Sequence, residues 1–504
     1  MNREKKNVGA LLIRADASVA MGTGHVMRCL ALAQAWQDAG GRAVFAMREC
    51  TPAIRARLLA EACDVLSISG APGTADDARQ TVALARHYRV GWIAVDGYQF
   101  GANYQNALKV EGARVLFIDD YGHAKDYSAD VVLNQNAGSA PRLYASREAR
   151  TQLLLGSRYC LLRREFAVWR AWTRDVPAIG RHVLVTMGGS DPENVTARIV
   201  DALALVEAEK LEAIVVLGGS APHFEALEQA GSDMSKFITI RRDVANIAEL
   251  MAWADLAVSS AGTTCWELCL LGLPSLLVDV AENQTALARE LDRRRAAIHM
   301  GAPRDFTKAQ LASQLQTVLQ SHEIRGNLSA RCRELVDGRG AERVVSLMRT
   351  GLRLRPAHEN DCRLLWEWAN DQEVRRASFS SAPIPWEEHR IWFAGKMKNL
   401  NCRILVAEDD QGRVGQFRVD WTSDQEGEVD VSVAPGRRGA GYGAALIDLA
   451  VSHIFAERGT RLHAFVKQEN RASQLAFEHA GFCSLGEEST HAERVIHYSR
   501  SRSQ

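Results

Sequence analysis

The stretch GALLIRADASVAMGTGHVMRCLALAQAW, residues 9–36, joins an apolar run, a glycine-rich turn and an amphipathic segment. The run ALLI predicts a buried strand, and the spacing of apolar residues in HVMRCLALAQAW predicts a helix. A strand followed by a glycine turn and a helix is typical of parallel α/β sheets, in which ligands bind outside the carboxyl ends of the strands. The stretch therefore predicts an α/β fold with a ligand site at this turn.

The same alternation continues along the first two thirds of the chain. Apolar runs AVFAM, VGWIAVDGY and ARVLFIDDY are followed by HVLVTMGGSD, LEAIVVLGGS and ADLAVSSAGTTCWELCLLGLPSLLVDV. Apolar strands separated by helical crossovers indicate parallel sheets covered on both faces. We expect two Rossmann-like domains, residues 1–165 and 166–348, that face one another across a cleft.

A different pattern begins near Gly351. Tryptophan-rich helical segments precede the runs RILVAEDDQGRVGQFRVDW and GEVDVSVAP, in which DDQG supplies a turn between two strands. Residues 352–504 are therefore predicted to form a separate α+β domain.

Composition excludes some classes of partner. The 504 residues contain 61 Lys plus Arg and 61 Asp plus Glu, so no global charge favours nucleic acid or anionic lipid. The first residues lack the apolar stretch of a signal peptide, and the ten cysteines include no C-x-x-C pair. We expect a cytoplasmic protein with free thiols, no metal, no nucleic-acid or membrane partner, and small-molecule substrates.

The first glycine-rich loop suits a phosphorylated ligand. Gly22 and Gly24 let backbone N–H groups converge on an anion at a helix N-terminus. His25 opens that helix, and its imidazole suits a general base at neutral pH. The alternative is that His25 only caps the helix or hydrogen-bonds within the loop.

Further candidates follow other strands of the two α/β domains. Tyr98 follows the strand WIAVDG, where it is either a substrate-site residue or a half-buried loop aromatic. The loops MGGSD and SSAGTTCWE offer amides and hydroxyls to a diphosphate and a carboxylate to ribose hydroxyls, unless they are only tight turns. The candidates in these loops are Gly188, Gly189, Ser190, Gly262, Thr263, Thr264 and Glu267.

Residues 8–347 resemble the UDP-sugar hydrolases of pseudaminic acid biosynthesis. The resemblance is carried by RADASVAMGTGHVMRCLALA, AVDGY, FIDDY, VLNQN, GSRYCLLRREF, MGGSD and SSAGTTCWELCLLGLP. It implies the two-domain arrangement of the metal-independent glycosyltransferases (GT-B), hydrolysis of a UDP-sugar, and a UDP site in the second domain. It also implies that His25 activates water and that Tyr98 and Asn283 lie in the substrate site. Asp119 and Asp120 are the nearest candidates for a metal site, but adjacent side chains of an extended segment point in opposite directions unless a turn follows the strand here.

The third domain has a second phosphate-binding pattern. Arg438, Gly441 and Gly443 form R-x-x-G-x-G between a strand and an amphipathic helix, and NRASQLAFEHAGF follows. Residues 352–498 resemble the GNAT-type N-acetyltransferases, which implies acetyl-CoA as cosubstrate and a splayed strand EVDVSV that opens its backbone to pantetheine. The residues implied to contact CoA are Val433, Arg438, Gly439, Gly441, Gly443 and Asn470.

The acid and base of acetyl transfer are not identified by the sequence. Phe477 stands where such acetyltransferases often have a tyrosine, and a thiol of ordinary pKa can leave as thiolate without one. Tyr442 and Tyr498 are alternative acids, and Glu428 is a candidate base that is equally an ordinary exposed carboxylate.

The resemblances predict two consecutive reactions, N-acetylation of a UDP-amino sugar and hydrolysis of the product. One alternative is a UDP-sugar glycosyltransferase with an unrelated acetyltransferase domain. Another is a C-terminal domain that binds CoA in a regulatory role.

Overall fold

The computed structural model describes residues 8–19, 21–109, 112–189, 191, 193–218, 224, 227, 237–242, 244, 246–490 and 493–502. The chain divides into two compact units, Met1–Val345 and Ser346–Gln504.

The first sheet of the Met1–Val345 unit has seven parallel strands in the order β3-β2-β1-β4-β5-β6-β7. These strands are β1 Ala10–Arg14, β2 Arg42–Met47, β3 Asp64–Ser67, β4 Trp92–Asp96, β5 Arg114–Ile118, β6 Val131–Asn134 and β7 Gln152–Leu155. Its helices are Gly24–Asp38, Pro52–Ala60, Ala75–His87 and Ala102–Leu108, with short 3-10 turns at Pro141–Tyr144, Ser157–Tyr159 and Arg164–Trp169. Central strands are buried on both faces, which explains why they read as unbroken apolar runs.

The second sheet of this unit is also parallel, in the order β10-β9-β8-β11-β12-β13. The strands are β8 His182–Thr186, β9 Glu212–Leu217, β10 Ile238–Arg242, β11 Leu256–Ser260, β12 Ser275–Val278 and β13 Ile298–Gly301. The described helices are Val195–Leu203, Ile247–Trp253, Thr264–Leu270, Glu282–Arg293, Lys308–Gln320 and His322–Leu335, with a 3-10 turn at Pro303–Asp305. The next helix, Gly340–Thr350, includes the division between the two units.

Both parallel sheets reverse their strand order at the first strand. β1 lies between β2 and β4, and β8 lies between β9 and β11. The crevice at the carboxyl ends of such strands is where ligands bind in open α/β sheets. The glycine-rich loops follow β1, β8 and β11, at these reversal points.

The Ser346–Gln504 unit contains a mixed sheet in the order β14-β15-β16-β17-β18-β20-β19, in which only β17 and β18 pair in parallel. The strands are β14 Arg353–Pro356, β15 Cys402–Asp409, β16 Gly412–Trp421, β17 Glu426–Val433, β18 Arg461–Lys467, β19 Cys483–Thr490 and β20 Glu493–Ser501. The helices are Cys362–Ala369, Gln372–Ala377, Trp386–Lys398, Tyr442–Glu457 and Arg471–His479, and Glu359–Asp361 is a 3-10 turn. DDQG forms the turn between β15 and β16, as predicted.

The fold class predicted from the sequence is confirmed: two parallel α/β sheets precede an α+β domain. The boundaries at residues 165 and 348 stay predictions. All ten cysteines are free thiols. Within the described residues, no helix is long and apolar enough to cross a membrane, and no three potential ligand side chains gather into a metal-binding group.

Candidate functional site

Glycine-rich loops from both parallel sheets meet in the Met1–Val345 unit. A Cβ atom added to Gly24 would lie 3.7 Å from Oγ1 of Thr263, and one added to Gly189 would overlap the side chain of Thr23. The loop of residues 22–24 therefore contacts the loops that follow β8 and β11. Gly22 and Gly188 adopt positive φ angles of 81° and 88°, which only glycine takes without strain.

His25 lies in the first turn of the helix Gly24–Asp38, beside this meeting point. Its Nδ1 is 2.7 Å from Oδ1 of Asp96, the last residue of β4. Because an ionised carboxylate only accepts, Nδ1 carries the proton and donates it to Asp96. Nε2 then holds the free lone pair of the neutral ring, and it has no hydrogen-bond partner among the described residues. The His25 side chain is 11% exposed, so the ring is reachable.

Arg28, one helical turn after His25, connects the two carboxylates of the site. Its Nε donates to Oδ2 of Asp96 at 2.6 Å, and its Nη1 donates to Oδ1 of Asp120 at 2.6 Å. The guanidinium and Asp96 are buried. The sequence patterns gave no role to Arg28 or Asp96, and they singled out Asp120 only as a candidate metal ligand. Two features of the sequence could have indicated them: an arginine three residues after the histidine, and an aspartate at the end of the apolar run that forms β4.

This network fixes the charges around His25. Burial opposes ionisation of Asp96, but Arg28 and then His25 hold the pKa of that carboxyl well below its usual range. Burial likewise opposes the charge of Arg28, and Asp120 and Asp96 outweigh it and raise the Arg28 pKa. The site thus contains two carboxylates and one guanidinium around the imidazole.

Tyr98 links the two halves of the Met1–Val345 unit. Its hydroxyl donates to Oδ2 of Asp120 at 2.7 Å and accepts from Nδ2 of Asn283 at 2.8 Å. The Tyr98 ring packs edge-on against the His25 ring, with centroids 4.9 Å apart. Burial and the nearby Asp120 raise the pKa of Tyr98 far above its ordinary value, so the phenol stays neutral. The structure therefore brings His25, Tyr98 and Asn283 together.

Asp119 and Asp120 follow the end of β5 and have separate partners. Asp119 accepts from the backbone N–H groups of Tyr121 and Gly122 and from the Tyr127 hydroxyl. Asp120 instead bonds Arg28 and Tyr98.

The predicted nucleotide residues after β11 lie near one another, and Ser190 lies outside the described residues. Thr263 immediately precedes the helix Thr264–Leu270, and a Cβ atom on Gly262 would lie 3.9 Å from Nε2 of Gln284. Glu267 accepts from Nη2 of Arg163 at 2.8 Å through Oε1. Burial raises the pKa of Glu267, and Arg163 partly offsets that shift. The roles of these residues in binding UDP stay predictions.

The second candidate site lies where β17 and β18 separate. The two strands pair from Glu426–Arg461 to Glu428–His463, whereas β17 stays paired with β16 up to Val433. The backbone of residues 429–433 is therefore open on the β18 side. Gly439 and Gly441 follow with φ angles of 74° and 89°, and Gly441 caps the helix Tyr442–Glu457. The separation of the two strands agrees with the splay that the resemblance to GNAT-type acetyltransferases implies, and the glycine turn agrees with the R-x-x-G-x-G pattern.

Arg438 is held by acidic side chains. Its Nη1 donates to Glu373 and its Nη2 to Asp371, both at 2.5 Å, and its Nε donates to the Val433 carbonyl at 3.2 Å. Burial would lower the Arg438 pKa, but the two carboxylates raise it. If the Arg438 guanidinium contacts a diphosphate, as expected, it must do so while it is also bonded to these two carboxylates.

Two other residues that the sequence analysis singled out, Asn470 and Phe477, have structural partners. Oδ1 of Asn470 caps the helix Arg471–His479 by accepting from the Ser473 amide at 3.2 Å. Phe477 is buried against Phe482 and Tyr498.

Both candidate acids are bonded to carboxylates. The Tyr442 hydroxyl donates to Asp409 at 2.6 Å and the Tyr498 hydroxyl donates to Glu478 at 2.9 Å. Burial and these carboxylates raise both pKa values, that of Tyr498 to about 12. Glu428 is exposed.

Two parts of the chain match known domain families. Residues 351–483 match the acetyltransferase (GNAT) domain family, and residues 182–333 match the glycosyltransferase family 28 C-terminal domain. The UDP-2,4-diacetamido-2,4,6-trideoxy-beta-L-altropyranose hydrolase of Campylobacter jejuni is 24% identical over 286 residues, which cover 56% of this chain and 96% of the relative.

Two further relatives differ in extent. An uncharacterized protein of Methanocaldococcus jannaschii is 22% identical over 498 residues, 94% of this chain and 96% of the relative. A spore coat polysaccharide biosynthesis protein of Bacillus subtilis is 28% identical over 236 residues, 46% of this chain and 68% of the relative. The prediction of an enzyme in which a hydrolase-like module is fused to a GNAT acetyltransferase domain is confirmed.

Proposed function

We propose that the chain catalyses two consecutive reactions of pseudaminic acid biosynthesis. The Ser346–Gln504 unit transfers an acetyl group from acetyl-CoA to the 4-amino group of UDP-4-amino-4,6-dideoxy-N-acetyl-β-L-altrosamine. The Met1–Val345 unit hydrolyses the product, UDP-2,4-diacetamido-2,4,6-trideoxy-β-L-altropyranose, to the free sugar and UDP. The observation that carries the proposal is the His25–Asp96 pair beside glycine loops from both parallel sheets.

His25 is the general base of the hydrolysis. Its Nε2 takes a proton from water as the water oxygen attacks the anomeric carbon, and the bond from that carbon to the diphosphate oxygen breaks. Asp96 orients the ring and stabilises the imidazolium that forms. With Arg28 positive and Asp96 and Asp120 negative, the cluster carries one net negative charge before this transfer and none after it.

The departing UDP is held by groups on the second parallel sheet. Backbone amides of Gly188, Gly189 and Gly262 and the hydroxyls of Thr263 and Thr264 face the developing diphosphate charge. Tyr98 and Asn283 are the substrate-site residues, and their shared hydrogen bond lies next to the base.

Acetyl transfer uses the open strand of the other unit. The backbone of residues 429–433 takes the pantetheine arm by strand-like hydrogen bonds, and the turn of residues 438–443 takes the CoA diphosphate. The amine nitrogen attacks the thioester carbonyl, and the thiolate leaves. Acetyl-CoA is thus the cosubstrate and the nucleotide sugar the small-molecule partner.

The test is to incubate the full chain with the UDP-amino sugar and acetyl-CoA and to follow CoA, UDP and free sugar by mass spectrometry. The proposal predicts CoA release, followed by UDP and free sugar without any added acceptor. If neither CoA nor UDP is released under these conditions, the proposal is rejected.

A glycosyltransferase is the second candidate, favoured by the match of residues 182–333 to the glycosyltransferase family 28 C-terminal domain. In that case UDP appears only when an acceptor is supplied, and no free sugar accumulates. A C-terminal domain that binds CoA only in a regulatory role would consume no acetyl-CoA.

A further inference from the structure

A line of three hydrogen-bonded side chains crosses one end of the mixed sheet in the Ser346–Gln504 unit. Nδ1 of His463, on β18, lies 2.9 Å from Nε2 of His497, on β20. Nδ1 of His497 lies 2.8 Å from Oε1 of Glu488, on β19. The Phe465 ring stacks on the His497 ring with centroids 4.5 Å apart, which fixes its orientation.

Chemistry sets the direction of these bonds. The ionised Glu488 carboxylate only accepts, so Nδ1 of His497 is the donor and its Nε2 is an acceptor. Nδ1 of His463 must then donate to that Nε2. The remaining ring nitrogen of His463, Nε2, therefore carries the lone pair at the end of the line.

Glu488 is the most exposed of the three side chains. The side chains of His463 and His497 are 19% and 13% exposed, whereas that of Glu488 is 51% exposed. A proton accepted at His463 can therefore pass through His497 to a carboxylate that contacts solvent.

His463 lies at the closed end of the gap between β17 and β18. It pairs in register with Glu428 at the last position before the two strands separate. Paired residues of neighbouring strands project their side chains to the same face, so His463 and Glu428 share a face. A pantetheine arm bonded to residues 429–433 runs from the glycine turn after Val433 towards this pair.

We propose that His463 is the proton acceptor of acetyl transfer and that His497 and Glu488 relay the proton to solvent. The inference rests on the acetyl transfer proposed above. Nε2 of His463 takes one proton from the acceptor ammonium, and the amine nitrogen bonds to the thioester carbonyl carbon. The C–S bond breaks with its electron pair on sulfur, and the second proton of the nitrogen goes to the thiolate.

The charged groups around His463 favour this role. Glu426, from β17, approaches its Nε2 to 3.9 Å, and Glu428 lies beside it, so the surface attracts an ammonium group. Arg461 lies on the same strand, while His497 and Glu488 lie behind the ring. Burial first, then His497, lowers the pKa of His463, which keeps the ring neutral and ready to accept at pH 7.

The test compares His463→Gln with His453→Gln in the full chain. His453 is exposed on the helix Tyr442–Glu457 and forms an ion pair with Glu457, so its replacement controls for loss of a surface histidine. We expect His463→Gln to lower kcat/KM for the UDP-amino sugar about 100-fold at pH 7, while the Kd for CoA measured by calorimetry is unchanged. The loss should diminish towards about pH 9.5, where the free amine needs no base. His497→Gln and Glu488→Gln should give smaller losses with the same pH trend.

Three results would overturn the proposal. If the wild-type chain transfers no acetyl group to the amino sugar, both the proposed function and this inference are rejected. If the wild type transfers acetyl and His463→Gln has the same kcat/KM at every pH, the relay is rejected while the proposed function stands. A loss that is constant with pH and accompanied by weaker CoA binding assigns His463 a structural role instead.

Discussion

Oδ1 of Asp96 lies 2.7 Å from Nδ1 of His25, although 71 residues separate the two in the chain. The aspartate ends β4 and the histidine opens the helix after β1, and these strands are neighbours in the sheet. The parallel fold therefore assembles a base and its orienting carboxylate from two distant segments. This pair accounts for the chemistry proposed for the Met1–Val345 unit.

Asp96→Asn tests the orienting role of the carboxylate. An amide can donate to Nδ1 and so favour the tautomer in which Nε2 carries the proton, which disables the base. We expect UDP release to fall by about 10²–10⁴-fold while CoA release is unchanged. Asp76→Asn, at an exposed position, is the matched control and should retain full UDP release. Equal UDP release by Asp96→Asn and wild type would remove Asp96 from the mechanism.

The bridge between Tyr98 and Asn283 predicts coupled effects on substrate binding. Tyr98→Phe and Asn283→Ala each remove the same 2.8 Å hydrogen bond across the two halves of the unit. We expect each to raise KM for the UDP-sugar about 10-fold, and the double variant to lose little more than either single one. Steady-state UDP release by the four proteins measures the coupling, with Tyr88→Phe as control. Fully additive losses would show that the two side chains act independently.

The environment of Asp119 leads us to expect a lower free energy of unfolding in acid. Burial would raise its pKa, but the His123 ring at 3.4 Å and the Tyr127 hydroxyl at 2.5 Å lower it to about 2. The ordinary value in an unfolded chain is about 3.9, so the ionised carboxylate contributes about 3 kcal/mol at neutral pH. That contribution is present above about pH 5 and is lost as pH falls through 4 towards 2.

Urea unfolding of wild type and Asp119→Asn at several pH values measures this contribution. The difference in the free energy of unfolding should be largest at pH 7 and should shrink below about pH 4. A difference that stays constant across this range would contradict the assignment.

Because two carboxylates lie beside Arg438, we expect the affinity for CoA to increase when one of them is neutralised. The Glu373 side chain is exposed and accepts a 2.5 Å hydrogen bond from Arg438. Glu373→Gln removes one negative charge near the predicted diphosphate position, so we expect the Kd for CoA to fall a few-fold, and Arg438→Ala to raise it about 10-fold. Calorimetry with Glu387→Gln as control measures both. Unchanged Kd values in both variants would place the diphosphate elsewhere.

Much of the fold follows from local sequence patterns. Buried parallel strands read as apolar runs, and the glycine turns stand at strand ends, so both α/β sheets were predictable from these patterns, whereas the splay of β17 was implied only by the resemblance to GNAT-type acetyltransferases. His25 and Tyr98 were predictable because each follows a strand at its carboxyl end.

The partners of these residues were not predictable in the same way. Asp96 and Asp120 reach Arg28 only after β1, β4 and β5 pair, and sequence spacing does not give that register. The His463–His497–Glu488 line likewise depends on β20 inserting between β18 and β19 in the sheet. Arg438 had a recognisable motif, but its acidic partners come from the distant residues Asp371 and Glu373.

The most direct measurement of the central claim is product release by His25→Ala in the full chain, with exposed His322→Ala as control. If acetyl transfer and hydrolysis take place at separate sites, His25→Ala should release CoA at the wild-type rate and accumulate the acetylated UDP-sugar. Its UDP release should fall by at least about 100-fold. Wild-type UDP release by His25→Ala would contradict the account.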